Sequence, residues 1–129
     1  MTFSLPFRAA VTTMGLFRIT LGLAPFLAAR PAARMLGFPV AHDTATTRLM
    51  GRLFGVRDVG LGVLAFYALA HPETAPFLFL FNAAMDAGDL LAITIPLVKR
   101  QGIDRAAVLS AVMALGGMTG WLIVWALAR

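Results

Sequence analysis

The sequence predicts an all-α integral membrane protein, a bundle of four transmembrane helices. Three observations carry that expectation. Hydrophobic residues make up 60% of the chain and charged residues only 13%, about half the charged share of an average soluble domain. Four apolar stretches are each long enough to cross a bilayer. Capping and turn-forming residues such as Pro39, Thr46, Pro72, Thr74, Gly102 and Asp104 mark the limits of those stretches. At a mean hydropathy of +0.84, a soluble domain of 129 residues would lack the polar groups to cover its surface. The length fits a single domain over residues 1–129.

The first span is expected over residues 7–29. Arg8 followed by an apolar run ending at Ala28-Ala29 imitates a secretory signal. Arg18 in the middle of the run opposes that reading, because a signal core is uncharged. The run is therefore expected to be a retained helix. The link that follows, from Arg30 to Pro39, mixes cations with Met35, Leu36 and Phe38. That mixture suits a short helix lying in the headgroup layer or an irregular loop.

The second span is expected over 47–70, with Thr46 or Thr47 as its cap. The third, over 75–98, opens on Thr74 and Pro76, and proline costs little in a first turn. The fourth, over 106–128, contains no charge and has Gly102 and Asp104 ahead of it as stop and cap signals. Pro25 and Pro96 should kink or end their helices. At ~1.5 Å per residue, twenty-odd residues span the ~30 Å hydrocarbon layer.

The link between spans one and two carries Arg30, Arg34 and Arg48, and that between spans three and four carries Lys99, Arg100 and Arg105. The other side has only Arg8 and Arg129. By the positive-inside rule this bias places both termini outside the cytosol, in a multi-pass inner-membrane protein. It opposes an antiparallel dimer of mixed topology and leaves a parallel homo-oligomer open.

Composition also excludes functions. The net charge of +5 and pI near 11.4 come from clusters beside apolar spans, so nucleic acid is not an expected partner; the lipid bilayer is. With no cysteine, thiol catalysis and thiolate metal sites are ruled out. His42 and His71 lie near opposite faces and cannot share one metal. The seven methionines are scattered as packing residues. Trp121 and Trp125 fall where an aromatic belt forms. His71 with Glu73 is a surface acid–base pair or simply part of a turn. No phosphate-binding glycine loop, nucleophile elbow or zinc helix motif is present. No cofactor is implied.

The strongest functional lead is a set of charges inside the spans. A charge at mid-bilayer costs roughly 2.5–3.5 kcal/mol, so it is rarely there by accident. Arg18 and Asp86 each lie eleven residues into their helices from the same side, roughly 16 Å deep. Arg57 and Asp58 reach a similar level from the opposite side, with Arg52 and Asp89 nearer that side. Asn82, Asp86 and Asp89 share one stripe by i, i+4, i+7 spacing. Gly51, Gly55, Asp58 and Gly62 share another, and Gly15, Arg18 and Gly22 a third; small residues let helices approach closely. Three cations and three carboxylates are expected to cancel, pairing Arg18 with Asp86, and Arg57 or Arg52 with Asp58 or Asp89. Gly116-Gly117-Met118-Thr119-Gly120 in the fourth span reads as an ordinary packing face.

The segment Gly55-Val56-Arg57-Asp58-Val59-Gly60-Leu61-Gly62 resembles the Gly-x-Arg-Asp-x-x-Leu-Gly signature of a family of uncharacterised small membrane proteins from bacteria and fungi, loosely DoxX-like. Arg18 with Gly22, the Leu36-Gly37-Phe38-Pro39 turn and the Asp86-x-x-Asp89 pair fit it as well. The resemblance implies a four-helix membrane fold and supplies no activity. Through its DoxX-like side it hints at a quinone-linked redox subunit, on architecture alone.

Two functional readings follow from the residues. In the first, Arg18, Arg52, Arg57, Asp58, Asn82, Asp86 and Asp89 form a polar lock in a structural or accessory module, not an enzyme, which works with a partner membrane subunit or a second copy of itself. In the second, the same residues line a small cavity that binds a proton or polar solute in a transporter.

Overall fold

The computed structural model describes residues 3–129, which are mostly helical, with no strand among the described residues. It comprises α1 (Leu5–Leu27), α2 (Ala29–Leu36), α3 (Ala45–Ala70), α4 (Ala75–Val98) and α5 (Asp104–Leu127), with single 3₁₀ turns at Val40–His42 and Pro72–Thr74. α1, α3, α4 and α5 are long and apolar enough to cross a membrane. The link after α1 is thus partly helical: α2 follows at once, separated only by Ala28 in a non-helical conformation.

Local chemistry sets the helix limits. α3 begins earlier than its apolar run because Thr44 caps it. Thr44 Oγ1 accepts from the Thr47 N–H at 3.2 Å, and Thr47 Oγ1 accepts from the Thr44 N–H at 3.0 Å. This is a reciprocal capping box, so Thr47 is the third helical residue and not the cap. Asp104 is likewise the first residue of α5; Ile103 holds the cap position and no side chain caps it. Thr74 occupies the cap position of α4, but its hydroxyl donates to the His71 carbonyl at 2.8 Å instead of accepting from the helix. Pro25 and Pro96 lie inside the last turns of α1 and α4. Gly37 ends α2 at φ 88°, a left-handed conformation that glycine adopts without strain.

The long helices run alternately up and down and pack mainly as two antiparallel pairs, α1 with α3 and α4 with α5. Glycine builds the first pair. A Cβ on Gly22 would collide with the carbonyl of Gly55, and one on Gly55 with the carbonyl of Gly22. Farther along, a Cβ on Gly62 would meet Ile19 at 2.6 Å and the Gly15 carbonyl at 2.8 Å. The backbones therefore touch at two levels, as small-residue interfaces in lipid do.

The two pairs join differently along their length. Toward the end with both termini, an apolar core of Val11, Ala65, Leu69, Phe79, Trp121 and Val124 draws on all four long helices. Trp121 is not a belt residue: it is 1% exposed and stacks on Phe79 with ring centres 5.9 Å apart. Trp125 remains at the rim, with the Arg129 guanidinium 4.6 Å from its ring centre. Toward the opposite, basic end the apolar core stops, and polar residues take over the junction.

Candidate functional site

The site grows out of the glycine contacts. Arg18 lies on α1 between Gly15 and Gly22, and Asp58 on α3 between Gly55 and Gly62. Both sit inside the α1–α3 seam, 6% and 4% exposed. α4 lies across that seam and presents Asp86 and Asp89, one helical turn apart.

Arg18 grips Asp86 as a two-pronged fork: Nη1 donates to Oδ2 at 2.9 Å and Nη2 to Oδ1 at 2.8 Å. Arg57 grips Asp89 in the same way, at 2.8 and 2.7 Å. These are charge-assisted bidentate pairs, the strongest hydrogen-bonded geometry available to these side chains. Asp58 lies between the forks. Its Oδ1 is 3.6 Å from Arg18 Nη2 and 3.5 Å from Arg57 Nη2. The result is a continuous row, Asp86–Arg18–Asp58–Arg57–Asp89, drawn from three helices. Phe54 braces the Arg57 end, its ring centre 4.8 Å from the guanidinium carbon.

Of the seven residues expected here, five are assembled. Asn82 is fully buried on the expected stripe, but its amide nitrogen donates back to the Leu78 carbonyl at 3.1 Å. Arg52 is not in the cluster: it is exposed and forms no ion pair among the described residues. The reason is rotational, because at 100° per residue Arg52 projects about 120° round α3 from Asp58. Its depth differs too. Arg52 lies near the basic end, where a long side chain extends to the headgroup layer at little cost. The expected cancellation of three cations by three carboxylates therefore fails. Two guanidiniums face three carboxylates.

The hydrogen bonding of the site is incomplete on both sides. Asp58 Oδ1 and Asn82 Oδ1 are buried acceptors without a hydrogen-bond partner, and Arg18 Nε and Arg57 Nε are buried donors without one. Among the described residues, no group of histidine or acidic side chains has the arrangement to hold a metal ion.

One residue of the site is absent from the sequence-based set. A Cβ on Gly117 of α5 would lie 2.5 Å from Asp86 Oδ2 and 3.2 Å from its Cγ. Gly117 thus makes the space in which the Asp86 carboxylate sits. The glycine run around it is visible in the sequence. Its register against α4 is not, because adjacent Gly116 has open space on its own face.

A second charged group lies outside the spans. Asp43, after the 3₁₀ turn, takes Arg48 Nε at 2.8 Å and Arg30 Nε at 3.0 Å. The hydrogen bond from Arg48 holds its carboxyl below the usual aspartate range; partial burial opposes this, while the charges of Arg48, Arg30 and Arg34 reinforce it. This triad ties α2 to the start of α3.

The family model for a domain of unknown function, DUF4267, matches residues 15–128. The chain belongs to that family. The DUF4267 match contains the whole Arg–Asp row, Gly117 and the Asp43 triad. No curated protein and no solved structure matches the chain significantly. DUF4267 membership thus agrees with the expected uncharacterised membrane family, and nothing found supports the DoxX-like link.

Proposed function

We propose that this DUF4267 protein is a structural or accessory membrane module, not an enzyme, whose Arg–Asp row fixes one helix pair against the other. The observation that carries this reading is that both forks cross between pairs: α1 to α4 through Arg18–Asp86, and α3 to α4 through Arg57–Asp89. Lipid tails are as apolar as leucine side chains, so the hydrophobic effect does not select one helix arrangement over another inside a bilayer. A buried ion pair does, since any other register leaves charges unpaired. Each carboxylate oxygen of Asp86 and of Asp89 accepts a hydrogen bond from a guanidinium. The basic-end loops support an inner-membrane location with both termini outside the cytosol. Such a module would serve a partner subunit or a second copy of itself.

The test is a double-mutant cycle with Arg18→Gln and Asp86→Asn, read as unfolding free energy in detergent. The reading requires a coupling above about 1 kcal/mol, against an average near 0.6 kcal/mol for polar contacts between membrane helices. Coupling indistinguishable from zero would sink it.

A second reading, a proton- or solute-binding role in transport, is favoured by one observation: the surplus carboxylate, Asp58, has an unpartnered buried oxygen. The chain has no cysteine, so single cysteines at Asp58 and Asn82 report on water directly; Gly22, which has no room for a Cβ, is left unchanged. Labelling of both by a water-soluble thiol reagent supports a hydrated cavity, and protection of both supports the lock.

A further inference from the structure

We infer that the seam between α2 and the start of α5 is a binding surface for the headgroup of an anionic phospholipid. The inference is independent of the role assigned to the Arg–Asp row.

In sequence, the cations of the two basic links are separated by spans two and three. The fold joins them. The side chain of Arg105, in the first turn of α5, lies directly against Gly37 at the end of α2: a Cβ on Gly37 would be 2.8 Å from Arg105 Cγ and 3.1 Å from its Nε. Gly37 therefore brings the first turn of α5 onto the end of α2, so Arg105 lies against the helix whose last turn carries Arg34. Lys99 and Arg100 follow the end of α4, in the short link that leads into α5.

Charge at this end is unbalanced. Arg30 and Arg48 are committed to Asp43. Arg34, Lys99, Arg100 and Arg105 are exposed, and none forms an ion pair among the described residues. The one other carboxylate at this rim, Asp104, is exposed and unpaired as well. With Arg52, which also lies unpaired near this end, five cations without an ion pair among the described residues stand against one carboxylate, a balance that complements a phosphate.

The apolar surroundings decide which phosphate. Leu27, Met35 and Val40 are 74%, 83% and 69% exposed beside these cations. Such groups are unfavourable in water and stable against acyl chains. A short helix with cations beside exposed apolar residues, at the level where the long helices end, lies in the interface plane of a bilayer. The Asp43 triad keeps α2 in place by fastening it to α3. An anionic lipid satisfies both halves of the surface, its phosphate at Arg34 and Arg105 and its chains along Leu27 and Met35. A free phosphate satisfies only the first.

The experiment is native mass spectrometry of the purified full chain from mixed micelles of phosphatidylglycerol and phosphatidylcholine. Wild type should retain phosphatidylglycerol preferentially, and the preference should fall as salt rises. Arg34→Gln and Arg105→Gln should each reduce that preference roughly five-fold, and Arg8→Gln at the opposite end should leave it unchanged. Equal retention of both lipids by wild type would overturn the inference without any variant needing to fold. So would a preference that Arg34→Gln and Arg105→Gln leave intact, or one abolished equally by Arg8→Gln. Displacement of the lipid by millimolar inorganic phosphate would show a free-anion site and overturn it too.

Discussion

Two adjacent glycines on α5 should respond to the same substitution with opposite sign. Gly→Ala in a helix interior gains about 1 kcal/mol from backbone entropy. At Gly116 nothing lies within 4 Å of the new Cβ, so Gly116→Ala should stabilise by about that amount. At Gly117 the Cβ falls 2.5 Å from Asp86 Oδ2, where ordinary contact begins at 3.4 Å, so the carboxylate must move by about 0.9 Å. Moving toward Arg18 it meets the guanidinium, which is already at 2.8 and 2.9 Å. Moving sideways it loses an arm of the fork. A charged hydrogen bond is worth roughly 1.5–3 kcal/mol, so the net effect of Gly117→Ala is a loss of about 0.5–2 kcal/mol. The two variants should thus differ by roughly 2 kcal/mol, readable by denaturant titration in detergent. An internal check follows: with Asp86→Ala already present the obstacle is gone, and Gly117→Ala should then stabilise like Gly116→Ala. If the two single variants matched in the wild-type background, the packing of Gly117 on Asp86 would be refuted.

Three other outcomes are expected. Arg57→Leu should cost about 3 kcal/mol because Asp89 is left unpaired, while Arg52→Leu five residues away should stay within about 0.5 kcal/mol, both by the same titration. Gly55→Val should cost about 3 kcal/mol by driving a side chain into the Gly22 carbonyl, and single-cysteine crosslinking between α1 and α3 should weaken with it. Asp43 has a depressed folded-state pKa, so its tie between α2 and α3 is intact above the ordinary aspartate value of 3.8 and is lost as pH falls below it. Hydrogen exchange in α2 should rise over that acidic window in the wild type, and in Asp43→Asn it should already be high at neutral pH.

How much of this was legible in the sequence depended on whether a feature is periodic or relational. The four spans were legible because bilayer thickness fixes their length. Arg18, Asp58 and Asp86 were legible because each shares a stripe with glycines or an amide on its own helix, and that spacing survives any packing. Arg52 was misread because depth alone admitted it, while its angle round α3 excludes it. Gly117 was missed because its role exists only relative to α4, and no pattern within α5 distinguishes it from Gly116. The α3 cap was misplaced at Thr46 or Thr47 because threonines cluster there, and only geometry shows Thr44 and Thr47 bonding reciprocally.

The contrast between Arg52 and Arg57 also bears on why the row holds a surplus carboxylate. If the row served only to neutralise charge, a third guanidinium facing Asp58 would do so, and α3 already carries one, Arg52, six residues from Asp58 on the wrong face. Instead Asp58 is shared, 3.6 and 3.5 Å from the two guanidiniums that grip Asp86 and Asp89. Each fork joins a helix of the glycine-packed pair to α4. Asp58 joins the forks to each other, so neither arginine can shift without altering the field on the other. That places the row's connecting element in the α1–α3 seam, where Gly55 and Gly62 force close backbone contact. The glycines and the charges therefore act as one construction: the first sets how near α1 and α3 lie, and the second converts that separation into a single allowed position for α4.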